Sequence, residues 1–118
     1  MMVMDMEAGK TWIAKHRFAR ISPRKVCTLA TLIRGRGCNE AIEQLRFNSR
    51  RGAKFLQNVL KSAMTNADED EADMRSLFVK DARADSGPLY KRWQPKDRGR
   101  AHPILKRTSH IVVEVAER

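Results

Sequence analysis

Two periodicities divide the chain. From Val26 the apolar positions run Val26, Leu29, Ala30 and Ile33, spaced i, i+3, i+4, i+7, which places all four on one face of a helix. Ser22 is a favourable N-cap ahead of them, and Pro23 suits the first helical position, where its missing N–H is not needed. Gly35, just past Ile33, offers the left-handed residue that ends a helix. A second, shorter helix is expected after Asn39, with Ala41, Ile42 and Leu45 as its apolar side. A third and longest one is expected from Asn48 or Ser49 to about Ala67, with Ala53, Leu56, Val59, Leu60, Ala63, Met64 and Ala67 as a broad stripe of core type.

Elsewhere the period is two. Leu77, Val79 and Asp81 alternate with Phe78, Lys80 and Ala82, and Ile111, Val113 and Val115 alternate with Val112, Glu114 and Ala116. Both read as strands with one buried face. Thr11 to Ala19, TWIAKHRFA, reads as another strand with cations alternating loosely along it. Between the last helix and Leu77 lies NADEDEAD, a polar break expected to be a solvated loop. As a calcium loop it fails, because the glycine at its sixth position and the bidentate glutamate at its twelfth are absent.

The segment from Tyr90 to Ile111, YKRWQPKDRGRAHPILKRTSHI, fits neither period. From Tyr90 to Arg107 it carries the seven cations Lys91, Arg92, Lys96, Arg98, Arg100, Lys106 and Arg107, and one anion, Asp97. Because it lies between two strands, it is expected to be one long hairpin over about 84–110. It would run out along Ala84–Gln94, turn at Pro95–Gly99 and return along Arg100–His110. Arms of this length reach roughly 30 Å. Two strands with so few apolar residues and so many like charges are marginal alone in water. An anionic sleeve of RNA or DNA would order them.

Charge sharpens this expectation. The chain has 118 residues, enough for one domain, and a net charge of +10. Asp68, Glu69, Asp70, Glu71 and Asp73 concentrate five of its acids, so the remainder carries +15. Such imbalance points to a polyanionic partner. Cations fall in two clusters. One is the hairpin, where Tyr90 and Trp93 add flat faces for stacking. The other is KHRFAR-ISPRK, with Lys15, His16, Arg17, Arg20, Arg24 and Lys25 around a helix start. Arg50, Arg51 and Lys54 open the long helix, where cations oppose the macrodipole unless an external anion offsets them.

Other chemistries find little support. Cys27 and Cys38 lack a CxxC spacing and read as one half-buried small hydrophobe and one loop thiol. His16, His102 and His110 share no metal-ligand spacing with them. Ser109 and His110 are adjacent on a strand and point to opposite faces, so they form no dyad. Asp81 and Asp85 are the only candidates for a nuclease metal site. RGRG at Arg34–Gly37 is too short for a phosphate loop and reads as a helix end with a turn. No segment approaches the roughly 20 apolar residues that span a bilayer. The expectation is no catalysis, no cofactor and no metal. One alternative is a DNA-binding regulator, in which Ser22–Arg34, the glycine turn and Asn39–Phe47 mimic a helix-turn-helix.

AKHRFARISPRKV (Ala14–Val26), LIRGRG (Leu32–Gly37) and GRAHPILKRTSHIVVEV (Gly99–Val115) closely resemble the bacterial large-subunit ribosomal protein family numbered twenty-two. The resemblance runs from about Trp12 to Arg118. It implies an α+β domain at 11–118, behind a flexible extension at 1–10: three helices packed on a small three-stranded antiparallel sheet, with a long protruding β-hairpin. It implies a monomer in the cytoplasmic large ribosomal subunit that binds rRNA and aids assembly. The expected rRNA-binding residues are Lys15, His16, Arg17, Arg20, Ser22, Arg24 and Lys25, then Arg50, Arg51 and Lys54, and in the hairpin Lys91, Arg92, Trp93, Lys96, Arg98, Gly99, Arg100, His102, Lys106, Arg107, Ser109 and His110. It also implies that Tyr90, Lys91, Arg92 and the tip Lys96, Asp97, Arg98, Gly99 and Arg100 line the nascent-peptide exit tunnel. There they would meet the ribosomal protein numbered four and the passing peptide, and macrolide sensitivity would map to Tyr90–Lys91–Arg92. The family often has Arg-Ala where this chain has Lys96-Asp97, so the tip departs from its pattern.

Overall fold

A computed structural model describes residues 10–95, 99 and 101–117. The elements run β1 (Thr11–Ala19), α1 (Pro23–Ile33), α2 (Cys38–Arg46), α3 (Arg51–Glu69), β2 (Leu77–Ser86), β3 (Tyr90–Pro95), β4 (Ala101–Lys106) and β5 (Ser109–Glu117). The expected α+β class, three helices and antiparallel sheet are all present. The extension expected at 1–10 falls, but for Lys10, outside the described residues.

β1, β5 and β2 form one antiparallel sheet in that order, so the last strand inserts between the first and the fourth-to-last element. Its central place explains its composition. Ile111, Val113 and Val115 point to the helices and are fully buried, while Val112 and Ala116 on the other face are nearly so. α3 covers β1 and β5, α1 lies over β2, and α2 packs on α3. Val26, Leu29, Ala30 and Ile33 of α1 meet Leu56, Leu60 and Ala63 of α3 over Trp12, Val79 and Val113 in one core. The helices leave the other sheet face bare. There Ile13 is half-exposed, and Lys15, Arg17 and Arg83 stand in solvent.

Gly35 takes φ +79 after α1, as expected of its position. The RGRG turn does more than stop the helix. Gly35 N–H donates to the Val79 carbonyl at 2.8 Å, and Val79 N–H donates to the Arg36 carbonyl at 2.9 Å. Arg34 Nε donates to the Ala82 carbonyl at 2.8 Å and lies 3.7 Å from Asp81. The turn thereby covers the outer edge of β2, a row of backbone groups that would otherwise template unwanted pairing.

Four expectations shift. The alternation read through Leu77, Val79 and Asp81 is broken by a bulge at Lys80. The β2–β5 register skips between Val79 and Asp81, so Ala82 rather than Asp81 turns inward. The long helix persists to Glu69, two residues past the expected stop, and half of the acidic run is helical. Asp70 is structural in part, accepting from Trp12 Nε1 at 2.7 Å. Neither cysteine is a loop thiol: Cys38 is the buried first residue of α2 and Cys27 lies part-buried within α1. The hairpin expected as one continuous pair over about 84–110 is instead two sheets. β2 and β5 pair as far as Ser86 and Ser109, and β3 pairs with β4 separately.

At the break between the two sheets, Gly87 N–H donates to the Thr108 carbonyl at 3.0 Å, and Thr108 Oγ1 donates to the Pro88 carbonyl at 2.7 Å. A Cβ at Gly87 would sit 2.5 Å from Thr108 Oγ1, so only glycine lets the two segments close here. Beyond this root β3 and β4 project as an arm, and the molecule measures 66 × 34 × 22 Å.

Burial pushes the Cys38 thiol up to about 11 from 9.0. The folded state holds this proton where the unfolded chain releases it, so the contribution is complete below pH 9.0 and lost as pH rises through about 11. Iodoacetamide on the native protein at pH 8 should therefore modify Cys27 and spare Cys38, with mass mapping as the readout. Urea should expose Cys38 to the reagent. Equal native labelling of both thiols would contradict the burial.

Candidate nucleic-acid interface

Two of the three helices, α1 and α3, begin with no acid in the first turn and no side-chain cap. α1 follows Ser22 with no cap hydrogen bond, and α3 follows Arg50, again uncapped and without an acid in its first turn. Gly52 brings these two helix starts together, since a Cβ there would lie 3.1 Å from Leu29 Cδ1 and 3.2 Å from Ile21 Cδ1. Between them opens a cavity of about 610 Å3 lined by Ile21, Arg24, Lys25, Thr28, Leu29, Arg50, Arg51 and Gly52. A second cavity of about 560 Å3 shares Ile21, Lys25 and Arg51 with it and extends along Arg20, Ser22, Leu105, Lys106 and Arg107 to the arm root. Among the described residues no carboxylate lines either one. Together they form a groove in which two positive helix ends and a row of side-chain cations face the same space.

The groove continues into the arm through a chain of contacts. Arg51 donates from Nη2 to the Arg20 carbonyl at 2.7 Å, and its guanidinium lies 5.5 Å from the Phe55 ring centre. Arg20 in turn stacks 5.0 Å from the Tyr90 ring centre, at the first residue of β3. Tyr90 is thus half-buried at the base of the arm, paired with Lys106 and five register positions from Pro95. Lys91, Arg92 and Trp93 are exposed beyond it, Trp93 at 66%. Ile104 and Leu105 are also exposed, so the described part of the arm contains no buried side chain of its own.

The sequence-based sites separate into three places. Arg20, Ser22, Arg24, Lys25, Arg50, Arg51, Lys106 and Arg107 converge on the groove, with Lys54 exposed one turn further along α3. Lys15, Arg17 and His110 lie on the bare face of the sheet instead. His16 joins neither: its ring turns to the helix side, 5.4 Å from Phe55. Ser109 is fully buried and its hydroxyl has no hydrogen-bond partner, so it presents nothing to a macromolecule. Gly99 takes φ +77 and is exposed, as a turn residue should be. Lys96, Asp97, Arg98 and Arg100, with the side chain of His102, lie outside the described residues.

Sequence reasoning missed Phe18 and Arg83 on the bare sheet face and Gly87 with Thr108 at the root. The Gly87–Pro88 dipeptide was the available signal for the break. Asp81 and Asp85, the candidates for a nuclease metal, both pair with Arg83 at 3.2 and 3.5 Å. The Asp81 hydrogen bond and the Asp85 charge keep that guanidinium firmly protonated. Among the described residues no group of three or more His, Cys, Asp or Glu is placed to hold a metal ion. The helix-turn-helix alternative meets a charge problem. With Cys38, Ala41 and Leu45 buried, the outer side of α2 carries Glu40 and Glu43, which would face phosphates in a major groove.

Comparison with known proteins agrees with this surface. The family described as ribosomal protein L22p/L17e matches residues 14–116. A protein of Sorangium cellulosum (strain So ce56), named large ribosomal subunit protein uL22, is 45% identical over 107 residues, covering 89% of this chain and 96% of its own length. The protein of that name from Desulfotalea psychrophila (strain LSv54 / DSM 12343) is 46% identical over 102 residues, 86% of this chain and 93% of the relative.

The unfavourable start of α3 yields a prediction with opposite signs for stability and binding. Arg50→Asp places a strong N-cap where a cation now opposes the dipole, and should stabilise the free protein by about 0.5–2 kcal/mol in urea unfolding. The same change should weaken binding to heparin, a simple polyanion, on a salt gradient. A variant that loses stability, or elutes unchanged, would show that no anion belongs at this helix end.

Proposed function

The chain belongs to the ribosomal protein L22p/L17e family, and from that premise we propose that it is a structural, non-enzymatic constituent of the large ribosomal subunit that binds rRNA. The groove carries this reading: two uncapped helix starts and the arm root meet along a track with cations and, among the described residues, no carboxylate. Such a track follows a phosphate backbone and releases its counterions. The arm, with no buried side chain among its described residues, is ordered by the RNA around it. In this reading the globular part sits on the outside of the subunit, in the cytoplasm, and the arm threads inward to line the peptide exit tunnel near the ribosomal protein numbered four. The chain acts as a monomer there and touches the nascent peptide only in passing.

The arm's role is measurable through salt. If it contacts about five phosphates, deleting residues 91–100 should flatten the slope of log K against log salt for a large-subunit rRNA transcript by roughly 3.5–4.5 units. The full protein should also co-sediment with large subunits. An unchanged slope would remove the arm from the phosphate-binding surface, and failure to co-sediment would remove the protein from the particle.

The tunnel position has its own test. Deleting Tyr90–Arg92 shortens one strand of the arm by roughly 10 Å, at about 3.3 Å per residue, and leaves its partner strand at full length, so the pairing must shift. It also removes the ring on which Arg20 stacks. The groove cations outside the arm are untouched, so the particle should assemble, while its macrolide sensitivity should change. An assembled particle with the parent's macrolide response would place the arm away from the tunnel wall.

A further inference from the structure

The bare face of the sheet carries a feature that the groove and the arm do not use. Between His16↔Ile111 and Ala19↔Ser109 the β1–β5 ladder skips, leaving Arg17 and Phe18 opposite His110 alone. Phe18 adopts φ +57, a left-handed conformation that a bulky residue rarely takes. The conformation is held from two sides. Phe18 N–H donates to His110 Nδ1 at 3.1 Å, and the two rings meet edge to face at 86° with centres 4.9 Å apart. The product of this construction is an aromatic ring pushed outward, with 55% of the residue exposed. Glycine would take the same backbone without strain, and a polar side chain would be better hydrated. A strained backbone that exposes an apolar ring points to a ligand for that ring.

We propose that Phe18 is a stacking platform for one unpaired nucleobase of the bound RNA, and that the surrounding shallow cavity of about 340 Å3 is a nucleotide site separate from the groove. This rests on the rRNA-binding reading and extends it to a second face of the protein. Charge selects the occupant. Lys15, Arg17 and Arg83 border the ring together with His110 and a single acid, Asp85. Arg83 is shared between Asp81 and Asp85, whereas among the described residues no ion pair is formed by Lys15 or Arg17. A flat apolar face flanked by unpaired cations matches a base with its phosphates. An apolar protein segment would leave those cations desolvated and unpaired.

The chemistry of the site is consistent with a base. A T-shaped contact uses at most one face of the Phe18 ring, and the other is free to stack. His110 accepts at Nδ1, which puts the proton of the neutral ring on Nε2 and leaves that atom as its donor for a base edge or a ribose hydroxyl. His110 therefore positions Phe18 and can contact the same nucleotide.

The test compares full-length protein binding to a ten-residue oligouridylate, to an abasic RNA of equal length and to a large-subunit rRNA transcript. The abasic strand has the phosphates without the bases. Phe18→Leu keeps bulk and removes the aromatic face. It should weaken oligouridylate binding by roughly 5- to 140-fold, the equivalent of about 1–3 kcal/mol of stacking, and leave abasic binding unchanged. Phe18→Tyr should bind as the parent does. In the unaltered protein, the Phe18 ring protons should shift upfield with oligouridylate and stay in place with the abasic strand, which keeps the test valid if Phe18→Leu folds poorly. Parent-like oligouridylate binding by a folded Phe18→Leu, or unmoved ring protons, overturns the stacking site while rRNA binding by the transcript survives. Loss of transcript binding by the parent itself overturns both readings.

Discussion

Like charges spaced along paired strands repel, and nothing inside a two-stranded arm can absorb that repulsion. Ile104 and Leu105 on β4 and Trp93 on β3 are all exposed, so the ladder of backbone hydrogen bonds is the arm's main internal support. The root answers this weakness. Gly87 allows the two segments of the root to approach closely enough for Thr108 to bond to Pro88, and Arg20 clamps Tyr90 from the globular side. The arm is thus fixed in direction at its base. A rigid root limits the conformations that RNA must sort through, and so reduces the ordering entropy that binding has to overcome.

The charge pattern of α3 favours an external anion in the same way. Its first turn holds cations and its last turn holds acids, the reverse of what the macrodipole favours at both ends. At the C-terminal end part of the cost is recovered within the protein, because Asp70 bonds to Trp12 and secures the start of β1. At the N-terminal end the Asn48 side chain accepts from Arg50 N–H at 2.9 Å and Arg51 donates to the Arg20 carbonyl at 2.7 Å, but the first turn holds no acid to offset its cations. Reversed polarity therefore has a direction. The acids keep one end of the molecule clear of polyanions, and the uncapped start beside α1 attracts them.

Much of this was legible in the sequence because it depended on local rules. Ser22–Pro23 and Gly35 bracket α1 to the residue, and the apolar stripe of α3 names its buried side. The basic clusters were equally plain, since charge is read directly from composition. What escaped depends on pairing between distant residues. The bulge at Lys80 is set by the register with β5, so alternation alone misassigned Asp81 and Ala82. The split of the hairpin into two sheets depends on Gly87 meeting Thr108, across about 20 residues of chain. Cys38 looked like a loop thiol because no helix signal precedes it, and burial against α3 and the sheet decided otherwise.

The segment Lys15–Lys25 shows how such long-range geometry changes a functional reading. As a run of letters it is one basic cluster. In the fold the bulge at Arg17–Phe18 ends the regular ladder, and the chain then turns over the edge of the sheet into α1. Cations before the bulge face outward from the sheet, those after it line the groove, and His16 between them turns to Phe55 on the helix side. A single basic stretch therefore serves two surfaces that look in different directions. A protein of this size that grips RNA on both can hold separate strands at a fixed separation, which is more than either charge cluster would accomplish by affinity alone.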